Sequence, residues 1–151
     1  MAAHPTEHNQ MLTPHMFYRD TAKAIAFYEA AFGAEEDYRL TDPTGRIGHA
    51  EITVGVCRLM MCDEHPDFGA LSPATVGGSP VWLNLRVADA DAFVARAVAA
   101  GATLLRPVKQ QFYGDRNGTI ADPFGYTWSI ATKIEDVSPQ EMQRRYRAAF
   151  A

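Results

Sequence analysis

Two stretches of this chain carry the same pattern: an apolar strand, an Asp- and Ala-rich amphipathic helix and a Gly-Ala stop. In the first copy, residues 12–18 lead into 20–32 and then Gly33-Ala34. In the second, 81–87 lead into 89–100 and then Gly101-Ala102. The two stops lie 68 residues apart, about half of the 151-residue chain. A duplicated supersecondary unit predicts a body of two like halves, with a small-molecule cleft expected between them.

The elements follow from local signals. Asp20 or Thr21 is the N-cap of a first helix with Ile25, Tyr28 and Phe32 on one stripe. A second helix carries Ala90, Phe93, Val94, Ala97 and Val98 at the spacing of one buried face. Gly33 and Gly101 supply left-handed C-caps. Residues 35–40, 48–54 and 57–62 read as strands, with turns at Asp42-Pro43-Thr44-Gly45 and Gly55. The second half matches with 103–108, a strand ending near Ala121, and 126–131 after Asp122-Pro123-Phe124-Gly125. The expected class is α+β: two βαβββ modules, 11–63 and 80–132, whose curved mixed sheet encloses a cavity, with the helices on its outer face. Residues 1–10 are expected to be a disordered tail. The Pro- and Gly-rich stretch 64–79 reads as a linker, serving as a connector or a lid. Residues 133–151 hold a third helix, started by Ser138, Pro139 and Glu141 as a capping box. Its thin stripe of Met142, Tyr146 and Phe150 suits packing on the body, a dimer contact or a frayed end.

Composition narrows the partners. A net charge of -4 and a pI near 5.7 argue against nucleic acid and anionic membranes. No apolar run approaches the ~20 residues of a membrane span, and the opening residues lack a signal peptide's apolar core. Cys57 and Cys62 would sit roughly 16 Å apart on one strand, pointing to opposite faces. That is too far for a disulfide, so two free, buried thiols and a cytoplasmic location are expected.

Alternation sorts the strand faces. Val81, Leu83, Leu85 and Val87 should lie under a helix, leaving Trp82, Asn84 and Arg86 opposite. The same rule places His49, Glu51, Arg58, Met60, Thr127 and Ser129 on that second face, with Thr13, His15 and Phe17 of the first strand. Charged groups interleaved with Trp and Phe suit a ligand cavity better than a solvated surface.

The motifs Arg19-Asp20, Ala24-Ile25-Ala26-Phe27-Tyr28, Phe32-Gly33 and Asp122-Pro123-Phe124-Gly125-Tyr126-Thr127-Trp128-Ser129 resemble those of the vicinal oxygen chelate superfamily. That superfamily includes glyoxalase I, bleomycin-resistance proteins, fosfomycin-resistance enzymes and extradiol dioxygenases. The likeness covers about residues 11–132. The stretches 111–116 and 135–142 resemble the PhnB-like branch.

Metal-dependent members of that superfamily take ligands from the first and last strands of each module. The resemblance puts those positions at Thr13, Met60, Trp82 and Ser129, none of them a usual ligand for a divalent ion. It therefore implies no metal and no cofactor, and a protein that binds its ligand rather than transforming it. The expected ligand-binding residues are His15, Phe17, Arg58, Met60, Trp82, Asn84, Arg86 and Ser129. Arg58 and Arg86 against Glu51 favour a planar molecule with an acidic group, stacked on Trp82 and Phe17. The alternative is a metal-dependent lyase, isomerase or dioxygenase with a displaced site at His15, His49 and Glu51. A metal-free catalyst would use His49 oriented by Glu51. Glu51 is otherwise expected to pair with Arg58 or Arg86, and Asp115-Arg116 is either catalytic or a structural ion pair. Relatives often pair, so a homodimer is expected.

Overall fold

The computed structural model describes residues 10–151. The chain is α+β and divides into two compact units, Met1–Thr75 and Val76–Ala151. In the first, β1 (His15–Tyr18) and α1 (Thr21–Phe32) precede β2 (Glu35–Thr41), β3 (Ile47–Val54) and β4 (Cys57–Asp63). A 3-10 turn at Pro66–Phe68 and the one-turn helix α2 (Pro73–Val76) follow, within the stretch expected to be a linker. The second unit holds β5 (Trp82–Arg86), α3 (Ala90–Ala100), β6 (Thr103–Gln110), β7 (Asp115–Ala121), β8 (Thr127–Lys133) and α4 (Pro139–Ala148). Each unit is thus a βαβββ module with its own four-stranded mixed sheet, ordered β1-β4-β3-β2 and β5-β8-β7-β6. β1 runs parallel to β4 and β5 to β8; the other pairs are antiparallel.

Capping sets the helices. Asp20 accepts the Lys23 N–H at 3.1 Å and Asp89 the Ala92 N–H at 3.0 Å, each satisfying a donor the helix leaves open. Gly33, at φ 66°, closes α1 in the left-handed region. The buried face of α1, including Ile25, Tyr28 and Phe32, packs on a sheet face built from Met16, Tyr18, Ala50, Ile52, Leu59 and Met61. The Tyr18 and Tyr28 hydroxyls, both buried, bond each other at 2.8 Å. In the second unit Val94 and Ala97 cover Ile120, Trp128 and Ile130. The buried Asp122 explains the Asp-Pro-Phe-Gly turn. One carboxylate oxygen accepts the Phe124 and Tyr126 N–H groups and the other the Trp128 indole N–H at 2.9 Å.

At α4, Ser138 accepts the Glu141 N–H at 3.2 Å. The Glu141 carboxylate turns to Arg144 and Arg145 instead of back to the cap. Arg145 also bonds Glu135 and the Phe112 carbonyl, and the Tyr146 ring lies 5.7 Å from that of Phe112. The helix therefore packs on its own unit.

Several placements differ from expectation, among them Val98 of α3, which is exposed instead of buried. Val81 precedes β5 and is 62% exposed instead of lying under α3, because the ladder with β8 begins only at Trp82. Cys57 is exposed at the start of β4 while Cys62 is buried, and both are free thiols. The first strand starts at His15 and not at residue 12; Pro14 contributes only its carbonyl, to the Met60 N–H. Of the expected tail, residues 1–9 lie outside the described residues. Gln10 exchanges two side-chain bonds with the backbone of Arg58, at 2.8 and 2.9 Å.

Candidate functional site

Strand pairing fixes which expected site residues share a face. His15 pairs with Met60, and Met60 with Glu51. The two-residue period then brings Phe17, Arg58 and His49 to the same side, away from α1. A register shift between Glu36 and Tyr38 inserts an extra residue into β2. Asp37 and Tyr38, neighbours in sequence, consequently both reach groups of this face. Tyr38 donates its hydroxyl to Glu51 Oε1 at 2.9 Å, and Thr53 donates to Asp37 at 2.8 Å.

Glu51 is the centre of this network and is 5% exposed. Its Oε1 lies 3.2 Å from His49 Nε2, and its Oε2 2.9 Å from Arg58 Nη1. Arg58 Nε is also 3.9 Å from Asp37. Burial pushes the Glu51 carboxyl up, but the bonds from His49 and Tyr38 and the Arg58 charge outweigh it, leaving the group below its ordinary value. Burial and the nearby His49 ring, 5.7 Å away, hold His15 below its own. Among the described residues, no group of three or more His, Cys, Asp or Glu is placed to hold a metal ion, so His15, His49 and Glu51 do not form such a set.

In the second unit Asn84 pairs with Ser129, and Ser129 with Thr119. Equivalent pairings make Asn84 the counterpart of His15, Ser129 of Met60, and Thr119 of Glu51. The strand bulge is duplicated too: β6 shifts register between Leu104 and Arg106, each 68 residues after Glu36 and Tyr38. A second shift follows before Lys109. Here the face frames a cavity of about 490 Å³ that includes Trp82, Arg106, Lys109, Tyr113, Thr119 and Ser129 in its lining. The Arg106 guanidinium sits 5.9 Å from the Trp82 ring centre. Gln111 donates to Asn117 at 3.0 Å, and Asn117 to the Tyr113 hydroxyl at 2.6 Å, fixing the polar wall. Among the described residues, no acidic side chain lines this cavity.

The expected site residues divide between the faces of the two units. Trp82 and Ser129 line the cavity just described; His15 and Phe17 line another, in the first unit. Met60 and Asn84 share the faces but line neither cavity. Arg58 is held by Glu51, and Arg86 lies 3.5 Å from Asp115 with its side chain 60% exposed. Asp115 and Arg116 do not pair with each other: Arg116 makes a two-pronged pair with Asp91 at 2.7 and 2.8 Å. Sequence reasoning missed Arg106 and Lys109. They have opposite parity in β6, and strict alternation puts them on different faces; only the two register shifts bring both to the cavity. The 68-residue spacing from Tyr38 to Arg106 is the signal that finds the first.

Comparison with known proteins agrees with this architecture. The model of the Glyoxalase/Bleomycin resistance protein/Dioxygenase superfamily matches residues 8–130. An uncharacterized protein of Mycobacterium tuberculosis H37Rv is 38% identical over 135 residues, covering 87% of this chain and 79% of its own length. The X-ray structure of an Arabidopsis thaliana gene product is similar at 29% identity with a TM-score of 0.64, covering 81% of this chain and 98% of that one. A glyoxalase/bleomycin resistance protein/dioxygenase family enzyme from Burkholderia phytofirmans shares the fold at 23% identity and a TM-score of 0.62. That match covers 80% of this chain and 95% of the other.

Proposed function

The chain belongs to the glyoxalase/bleomycin resistance protein/dioxygenase superfamily, and from that premise we propose that it is a metal-independent small-molecule-binding member that sequesters a planar acidic ligand. The supporting observation is the Trp82 cavity: an indole platform beside two cations, Arg106 and Lys109, with no carboxylate in the lining among the described residues. A flat anion gains ring contact from Trp82 and charge-assisted bonds from Arg106, while a cation meets only like charge. The donors for a divalent ion are poor. Thr13, Met60, Trp82 and Ser129 offer two neutral hydroxyls, a thioether and an indole, and both Glu51 oxygens are engaged. No step through a metal belongs to this reading.

Titration with 2-naphthoate, followed by indole fluorescence, tests it. Saturable binding about tenfold weaker in Arg106→Ala is expected, with the ligand recovered unchanged. Equal affinity in that variant overturns the reading. One observation favours an enzyme instead: His49 Nε2 lies 3.2 Å from Glu51 Oε1, the geometry of an oriented acid–base imidazole. Turnover of a bound compound that disappears in His49→Ala marks that alternative.

A further inference from the structure

We propose that the first unit carries a second, independent small-molecule site, which takes an uncharged aromatic compound bearing a hydrogen-bond donor such as a phenolic hydroxyl. The site is an open cavity of about 480 Å³ whose lining includes His15, Phe17, Cys62, His65, Phe68 and Ala70. The turn after β4 builds one wall. His65 and Ala70 exchange backbone bonds at 2.8 and 3.1 Å, and Gly69, at φ 71°, reverses the chain between them. This closure sets the Phe68 ring 4.3 Å from that of His65 and leaves Phe68 82% exposed. A phenyl ring held open to water at a cavity rim is surface that a ligand ring would cover.

The carboxylates around the cavity are already bonded. Asp63 takes the backbone N–H groups of Thr21 and Ile47 at 2.8 and 2.9 Å. Asp42 takes those of Thr44 and Arg46, and Arg46 donates to the Glu64 carbonyl. Burial holds His15 down and pushes the Cys62 thiol up, favouring the neutral form of each. An anion would meet the Asp42 and Asp63 carboxylates against the single Arg46 guanidinium, and a cation would meet carboxylates already bonded to backbone N–H groups. One polar atom does lack a partner: His65 Nδ1 is buried with no hydrogen bond. Because that atom is itself out of water's reach, a ligand hydroxyl donates to it only as the His65 ring turns toward the cavity, while the ligand's ring meets Phe17 and Phe68.

The probe is 2-naphthol, added to the full chain while backbone amide NMR shifts are followed. Saturable shifts at residues 65–70 and at Phe17 are expected. Phe68→Ala, which removes an exposed ring, should weaken binding about tenfold, and Ala70→Trp, which fills the cavity, should abolish it. His65→Phe should weaken 2-naphthol about fivefold while sparing naphthalene, which has no hydroxyl to donate. Trp82→Ala should leave 2-naphthol binding unchanged, which separates this site from the 2-naphthoate cavity. No shifts at 65–70 up to the solubility limit overturns the proposal. So does unchanged affinity in both Phe68→Ala and Ala70→Trp, or loss of 2-naphthol binding in Trp82→Ala.

Discussion

Arg58 Nη1 stands 2.9 Å from Glu51 Oε2 across adjacent strands, with the two side chains 17% and 6% exposed. The pair ties up the one carboxylate of the displaced metal site, and one of the two cations that sequence reasoning assigned to the ligand. Removing one partner of such a pair strands the other charge in a dry environment. Arg58→Met should therefore cost about 3 kcal/mol of stability. The Glu51→Met, Arg58→Met double variant should cost less than the two single changes summed, as urea denaturation of all four proteins will show.

Tyr38 reaches Glu51 only because of the bulge in β2. Tyr38→Phe should cost about 1 kcal/mol and move the Glu51 carboxyl upward, since one bond to the ionised form is gone. Carboxyl-selective NMR titration of wild type and variant reads that shift directly.

Acid should unfold the first unit through Glu64 as well. Bonds from the Ser72 and Thr75 hydroxyls hold Glu64 at about 2, against an ordinary 4.5. The folded value is depressed, so the unfolded chain binds more protons between the two values. The stabilisation is present above pH 4.5 and is lost as the pH falls toward 2. Glu51 acts in the same direction. Urea midpoints measured downward from pH 6 should fall less steeply in Glu64→Gln than in wild type.

Gly114 and Gly77 have nearly the same φ, 94° and 93°, but different surroundings. A Cβ at Gly114 would overlap the Glu135 carbonyl oxygen and come within 3.0 Å of Val137, whereas one at Gly77 meets nothing within 4 Å. Gly77→Ala should cost about 1 kcal/mol of backbone strain. Gly114→Ala should cost about 2 kcal/mol more, because the Glu135 backbone there is itself bonded to the Gly114 carbonyl. Thermal unfolding of the two variants gives the difference.

Much of this architecture is written in local chemistry. Asp20, Asp89, Ser138 and Gly33 cap the helices as their residue types dictate, and alternation puts Trp128 and Ile130 inside, with Ser129 opposite. What escapes the sequence is whatever breaks a period. The paired bulges in β2 and β6 carry no residue signature, yet they recruit Tyr38 to Glu51's network and Arg106 with Lys109 to the Trp82 cavity. The turn from His65 to Ala70 looks like any Pro- and Gly-rich loop until its closing backbone bonds are seen. Long-range partners are equally silent, so Arg116 finds Asp91 instead of its neighbour Asp115.

The most direct test measures 2-naphthoate affinity in protein stripped with a chelator, then again after zinc, nickel or manganese is restored. A cationic cavity that works through Arg106, Lys109 and Trp82 predicts the same dissociation constant in every condition, rising with salt as ion pairing is screened. Binding that appears only when a divalent ion is returned would contradict it.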